Sequence, residues 1–269
     1  MASPGVVVRP VVRGLVVLYL TFLLVIPVVL VFWRTFENGV GPVVDGLTSS
    51  ATLHAFQLTA VVAFYAVVAN TVFGVVTALL LVRHRFHGKR VLNALIDLPL
   101  AVSPVIVGLA LILVYGRTTG FGRTLAGIGI NIIFSVPGMV MATIFVCIPL
   151  VVRAVAPVLE EIGDEQEQAA RTLGAGPVQT FLRITLPSIR GALAYGVVLA
   201  LARSLGEYGA VAVVSGRLVG RTQTVTLLVQ ERYLNFDQET AYACALLLIV
   251  TSVAALVVSR LLAPKEIRS

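Results

Sequence analysis

Six apolar runs dominate this sequence, and they constrain its fold more than any other feature. Each run can cross the roughly 30 Å hydrocarbon core of a bilayer, which takes about 20 helical residues. Within lipid a segment must satisfy its own backbone hydrogen bonds, so each run is predicted to be a helix. Only 12% of the residues are charged, about half the usual share in soluble domains. The sequence therefore predicts an all-α, multi-pass membrane protein with six transmembrane helices, at Leu15–Trp33, Leu58–Val82, Val91–Tyr115, Phe134–Val152, Gly191–Ser215 and Ala241–Leu262.

The distribution of basic residues predicts how these helices are oriented. With six spans, both termini lie on the same side of the membrane. Thirteen Lys and Arg residues fall on that side and six on the other, while Arg203 lies within a run. Loops rich in Lys and Arg stay in the cytoplasm. Both termini are therefore expected in the cytoplasm, and the net charge of +7 reflects membrane topology, not binding to nucleic acid.

The segment 160–187, between the fourth and fifth runs, is too long and too patterned for a simple connection. Acidic residues crowd its start, where they favour a helix N-terminus. Asp164 and Glu167 have the spacing of a capping box. The helix that they begin is predicted to continue through Leu173 and to end at Gly174, because glycine tolerates the left-handed conformation.

A second short helix is predicted to follow this glycine. Pro177 suits its first turn, and Pro187 is expected to end it. Val178, Phe181 and Leu182 have the spacing of one helical face. The segment should thus form a helix, a glycine-centred turn and a helix, presented as a rigid knob. An amphipathic connector lying on the membrane is the alternative from the residues alone.

The run from Glu167 to Pro187, EQAARTLGAGPVQTFLRITLP, resembles the EAA loop of ABC-importer permeases. The pattern of that loop is matched at Ala169, Ala170, Gly174, Ile184, Leu186 and Pro187, whereas Gln168 stands where the family has glutamate. The resemblance implies a coupling helix that docks into a cleft on an ATPase subunit. Its expected coupling residues in this chain are Glu167, Gln168, Ala169, Ala170, Leu173, Gly174 and Pro187.

Three further runs resemble the sulfate and thiosulfate branch of these permeases, in particular its W-type subunit. They are DLPLAVSPVIVGL at Asp97–Leu109, FSVPGMVMATIFV at Phe134–Val146 and ARSLGEYGAVAVVSG at Ala202–Gly216. Molybdate permeases share part of this pattern, so a molybdate or tungstate permease subunit is the nearest alternative. The resemblance implies a pair of ABC ATPase subunits, a second permease of the T-type and an extracytoplasmic sulfate-binding protein as partners.

Two charges within the fifth run need an explanation, because a charge near the centre of a bilayer costs about 2.5–3.5 kcal/mol or more. Arg203 and Glu207 are four residues apart, so on a helix their side chains share a face and can reach each other. They form either a structural ion pair or part of the translocation pathway for an anion. Gly206 and Gly209 beside them permit close helix packing.

Other polar and helix-breaking residues lie within the third and second runs. Pro99 and Pro104 each remove a helical hydrogen bond, which produces either a kink or a broken helix that lines a cavity. Ser103 and Pro104 are therefore candidate pathway residues, with Ser103 able to satisfy a freed carbonyl. Asn70 and Thr71 are expected to form hydrogen bonds between helices.

The sequence contains no phosphate-binding loop of the GxxxxGK[ST] kind and no catalytic triad or metal-ligand spacing, so we expect neither an enzyme nor a bound metal or cofactor. ATP hydrolysis must then come from another chain. Residues 1–57 are predicted to hold the first span and an outer loop, and residues 58–269 the five-helix permease core. A membrane scaffold that transports nothing is the remaining alternative, disfavoured by the costly charges at Arg203 and Glu207.

Overall fold

The computed structural model of the protein describes the backbone of residues 5–262 and the side chains of residues 12–258 and Leu261. The basic side chains of Arg9, Arg260, Lys265 and Arg268, which entered the predicted orientation, lie outside this described part. All regular elements within it are helical, as the apolar runs predict. In chain order they are α1 (Gly5–Leu20), α2 (Ile26–Phe36), α3 (Val40–Thr48), α4 (Ser50–Arg83), α5 (Lys89–Ala101), α6 (Pro104–Tyr115), α7 (Gly120–Gly127), α8 (Val136–Ile162), α9 (Glu165–Thr172), α10 (Pro177–Thr180), α11 (Leu186–Leu205), α12 (Gly209–Val214), α13 (Val225–Leu234) and α14 (Gln238–Leu262).

The helices that can cross a membrane number five in the described residues, or six if α5 and α6 together form one span. The predicted third span is therefore broken and not merely kinked, because α5 and α6 meet at an angle of 114°. Ser103 adopts an extended ψ of 133°, as expected for a residue before proline. Pro104 also lacks the N–H that would continue α5. The break is thus a local consequence of the Ser103-Pro104 step.

The packing of α5 and α6 indicates that the pair still crosses the bundle. On α5, Ile96 belongs to the same core cluster as Val155 and Leu159 in the second half of α8. On α6, Leu111 packs against the cluster that contains Met139 in the first half of α8. The two helices therefore cover different depths of α8, and six crossings remain the consistent count.

Two of the long helices contain a wide turn of π-helix just before a proline. The turn Thr21–Val25 precedes Pro27, and the turn Phe181–Thr185 precedes Pro187. In each turn a backbone N–H bonds to the carbonyl five residues earlier, as in Leu186 N–H to Phe181 O. This change of register lets a proline, which has no N–H, follow within the helix. The prediction that Pro187 ends its helix is therefore wrong, because the helical stretch is continuous from Pro177 to Leu205.

Helix α8 forms the centre of the bundle and packs between α4 and α11. Small residues permit this close approach, since a Cβ placed on Gly74 of α4 would lie 2.7 Å from Val151 Cβ of α8. Gly196 of α11 meets Ala154 of α8 in the same way, with its Cβ position 2.9 Å from Ala154 Cβ. Helices α1 and α2, by contrast, bury none of their most apolar stretch. The N-terminal span thus lies outside the core that positions the functional residues.

Candidate functional site: the 163–187 loop and the intramembrane ion pair

The loop after α8 contains the first of the two predicted short helices, whereas the second is the start of the continuous helix Pro177–Leu205. The first, α9, begins after Asp164, whose side chain does not cap the helix. The predicted capping box between Asp164 and Glu167 is therefore wrong. The box does not form because the Glu167 carboxylate points into the protein, where it accepts hydrogen bonds from Arg83 and Thr185.

The turn between the two helices has the predicted glycine geometry. Gly174 has a φ of +88°, in the left-handed region that favours glycine. Gly174 N–H donates to Arg171 O and Ala175 N–H donates to Ala170 O, both at 3.0 Å. These two bonds form a Schellman motif, which satisfies the last carbonyls of α9. The second helix begins with Pro177 in its first turn, as predicted.

The tip of this loop exposes apolar side chains. Leu173 is 88% exposed, and Val178 and Leu182 are exposed as well. Phe181, predicted on the same face, instead packs against the core cluster that contains Leu159 and Ile189. Exposed apolar residues on a rigid turn are typical of a surface that binds another protein.

The other expected coupling residues divide into exposed and buried positions. Gln168 and Ala169 are exposed, and Ala170 is half-buried. Glu167 is buried, and its carboxylate is bonded to Arg83 at the end of α4 and to Thr185 in the turn before α11. Pro187 is exposed near the start of α11. The structure thus presents Gln168, Ala169, Leu173 and Gly174 outward and directs Glu167 inward.

The intramembrane ion pair is present, but it does not lie on one helix. Arg203 Nη1 is 2.7 Å from Glu207 Oε2. Helix α11 ends at Leu205, so Glu207 lies in the connection to α12, and the prediction of a helical span up to Ser215 is wrong. The Glu207 side chain is 1% exposed and that of Arg203 is 39% exposed. The Glu207 side chain is thus enclosed, while the Arg203 side chain stays partly exposed.

Three helices begin beside this ion pair. Gly209 at the start of α12 lies against Pro104 at the start of α6, with its Cβ position 3.0 Å from Pro104 Cβ. Ala210 N–H donates to Glu207 Oε1 at 3.0 Å, and Thr226 Oγ1 in the first turn of α13 donates to Glu207 O at 2.9 Å. Helix N-termini carry partial positive charge. Arg203 and the starts of α12 and α13 are thus the positive groups in contact with Glu207.

The ion pair lies near the middle of the bundle. Ser204, next to Arg203, has its Oγ 3.5 Å from Cys147 Sγ, and Cys147 lies near the middle of α8. Ser103 and Pro104 are brought to the same depth through the Pro104–Gly209 contact. The Ser103 side chain does not accept a capping hydrogen bond from the start of α6, and its donation to a freed carbonyl stays a prediction. Gly206 makes no close contact with another helix.

The predicted hydrogen bonds between helices at Asn70 and Thr71 are also not observed. Thr71 Oγ1 donates to Val67 O of its own helix at 2.7 Å. Asn70 is fully buried, and its side-chain amide has no hydrogen-bond partner among the residues that the structure describes. The sequence did not predict another polar contact between helices. Arg153 of α8 binds Asp97 at 2.5 Å and Asn93 at 3.0 Å, both on α5. Only the packing of α5 on α8 brings those residues together.

Comparison with known proteins places these features in context. Residues 70–268 match the family model described as "Binding-protein-dependent transport system inner membrane component". The chain is 46% identical to the sulfate transport system permease protein CysW of Synechocystis sp., covering 93% of this chain and 90% of that protein. It is 41% identical to CysW of Escherichia coli K12, covering 93% and 86%, and 35% identical to CysT of the same strain, covering 89% and 86%. The fold is similar to a chain in the crystal structure of a bacterial ABC transporter for alginate import, with a TM-score of 0.76, 17% identity and coverage of 95% and 93%.

Proposed function

Because this chain belongs to the family of binding-protein-dependent transport system inner membrane components, we propose that it is a permease subunit that admits sulfate or thiosulfate through an ATP-driven importer. The observation that carries the proposal is the 46% identity to a sulfate permease over 93% of the chain. Identity to W-type relatives, at 41–46%, exceeds that to T-type relatives, at 35–36%. This difference supports the W-type role in a pair with a T-type permease.

The complete importer contains two different permeases, two ATPase subunits and an extracytoplasmic binding protein that delivers the anion. The first span, outside the packed core, is an addition to a permease core that begins with α4 at Ser50 and not at the predicted residue 58, because α4 is one continuous helix. Residues 160–187 form the coupling loop. Both termini face the cytoplasm of a bacterial inner membrane. The excess of basic residues on the side of the termini supports this orientation.

The exposed tip of the loop is the surface that binds the ATPase. Leu173 supplies the largest exposed apolar area, and Gln168 and Ala169 lie beside it. A left-handed Gly174 turns the chain sharply enough to present this surface as a knob. ATP-driven closure of the two ATPase subunits then moves the knob, and the spans switch between two arrangements.

Arg203 is the residue that attracts the dianion at the middle of the membrane. Its side chain is partly exposed. The first turns of α12 and α13 donate hydrogen bonds to its partner Glu207, and the start of α6 lies against that of α12. Short helices that start within a membrane direct positive dipole ends at anions in other transporters. Glu207 fixes the position of the Arg203 side chain, and Ser103 and Pro104 form the adjacent wall. No reaction of the chain itself is required.

The experiment that tests this function is reconstitution of the complete complex in vesicles. We expect a sulfate-loaded binding protein to stimulate ATP hydrolysis and the uptake of labelled sulfate. A molybdate-loaded binding protein should do neither. Stimulation by the molybdate-loaded binding protein alone would assign the chain to the molybdate branch. Uptake that does not depend on ATP for any anion would contradict the importer assignment.

A further inference from the structure

Helix α9 is attached to the rest of the protein through a single buried side chain. Within this fully described helix, Glu167 is the one buried residue. Glycines with positive φ lie at both ends, Gly163 at +69° and Gly174 at +88°, and neither has packing atoms near the position of a Cβ. Such a helix can pivot on its two ends unless its buried residue fixes it.

The Glu167 carboxylate is fixed by residues from two other elements. Arg83, the last residue of α4, donates through Nε to Glu167 Oε2 and through Nη2 to Glu167 Oε1, both at 3.2 Å. Thr185, in the turn before α11, donates through Oγ1 to Glu167 Oε1 at 2.9 Å. The Arg83 and Glu167 side chains are only 13% and 9% exposed, so this bidentate pair is shielded from water and screened little by salt.

The same arginine also holds the end of α8. Arg83 Nη1 donates to Leu159 O at 2.9 Å, and Nη2 donates to Gly163 O at 2.6 Å. The Gly163 contact fixes the pivot at the start of α9. Leu159 and Ile189, which line the same small cavity, belong to the core between α4, α8 and α11. Arg83, Glu167 and Thr185 therefore form a clamp that joins α9 to three transmembrane helices.

We propose that this clamp is the connection through which movement of the docked ATPase reaches the spans, so that Glu167 is a positioning residue and not an ATPase contact. The proposal rests on the proposed function of the loop. An unclamped α9 still presents Leu173 to the ATPase, but it pivots on Gly163 and Gly174 when the ATPase closes. ATP is then hydrolysed while α4, α8 and α11 stay in place. Loss of the clamp should therefore uncouple hydrolysis from import without preventing docking.

The test compares variants in the reconstituted complex by the amount of sulfate imported per ATP hydrolysed. Glu167→Gln keeps the side-chain size but removes the charge, and Thr185→Val removes one hydrogen bond while keeping the ion pair. We expect co-purification of the ATPase and its hydrolysis rate to stay near those of the wild type. Sulfate per ATP should fall about tenfold in Glu167→Gln, within the usual range of coupling between sites, and less in Thr185→Val. The matched control Glu161→Gln removes an exposed carboxylate from the end of α8 and should leave the ratio unchanged. Thr185→Ser keeps the hydroxyl that Thr185→Val lacks, so its ratio should stay near that of the wild type.

An unchanged ratio in Glu167→Gln overturns the clamp. If Glu167→Gln loses the ATPase during purification, the Thr185 variants decide. A ratio lower in Thr185→Val than in Thr185→Ser supports the clamp, and equal ratios overturn it. The wild-type complex is measured in the same experiment, so that failure of the clamp can be told apart from failure of the proposed function. A wild-type complex that imports no sulfate contradicts the sulfate assignment and not the clamp.

Discussion

Arg203 Nη1 lies 2.7 Å from Glu207 Oε2 although the helix that carries Arg203 ends between the two residues. The side-chain exposures differ greatly, since the Glu207 side chain is enclosed and the Arg203 side chain is partly exposed. Glu207 also accepts the Ala210 N–H at the start of α12. One carboxylate thus stabilises a helix start and orients a cation, so the two partners have separable roles.

The first prediction follows from this asymmetry. Glu207→Gln keeps an acceptor for Ala210 and leaves Arg203 partly solvated, so the complex should assemble. Sulfate uptake should nevertheless fall about tenfold, or about 1.4 kcal/mol, because Arg203 loses the carboxylate that holds its side chain in position. Arg203→Lys should keep part of the activity and Arg203→Gln should not. Uptake at the wild-type rate in both Glu207→Gln and Arg203→Gln would leave only a structural role for the pair.

A second prediction concerns the turn at Gly174. Nothing lies near a Cβ at this position, so a substitution acts through backbone strain and outward bulk. Gly174→Val should strain the left-handed turn by about 1–2 kcal/mol and weaken co-purification of the ATPase. Gly174→Asn should be milder, because asparagine tolerates this conformation. Gln168→Glu, which introduces the family residue, should transport normally. Full ATPase binding by Gly174→Val would show that this loop is not the docking surface.

The third prediction tests the orientation of the chain. Cys147 and Cys244 are free and buried, so both can be replaced by alanine to give a background without cysteine. A single cysteine at exposed Thr118 should then react with an impermeant reagent from outside the cell. A cysteine at exposed Gln179 should react only after the membrane is opened. The reverse pattern would invert the six-span topology.

The fourth prediction concerns the packing of the broken span. A Cβ on Gly108 of α6 would lie 2.7 Å from Val213 Cβ and 2.9 Å from Ala210 O of α12. Gly108→Ala should therefore push α6 away from α12 and destabilise the protein by about 1–3 kcal/mol, the usual cost of overpacking. Gly127→Ala, at a position with open space, is the matched control. Thermal unfolding of the purified complex should separate the two variants, and equal midpoints would contradict the close packing of α6 on α12.

The sequence by itself determined the fold class and most of the local geometry. Apolar length decided the spans, because lipid leaves a helix as the way to satisfy the backbone. Gly174 and Pro177 each occupied the conformation that their own covalent structure favours. The Ser103-Pro104 step likewise accounts locally for the break between α5 and α6, which meet at 114°.

The tertiary structure decided which polar groups meet. Asp164 and Glu167 have capping-box spacing, yet Glu167 binds Arg83, which lies 84 residues away in the chain. A partly buried arginine offers a stronger bidentate partner than a backbone N–H, so the distant contact wins over the local one. Pro187 lies inside a helix because the π-helical turn before it moves the hydrogen-bond register. Spacing along the chain indicates only local conformational preference. The partners of buried charges depend on how α4, α8 and α11 pack, and this packing exists only in the folded bundle.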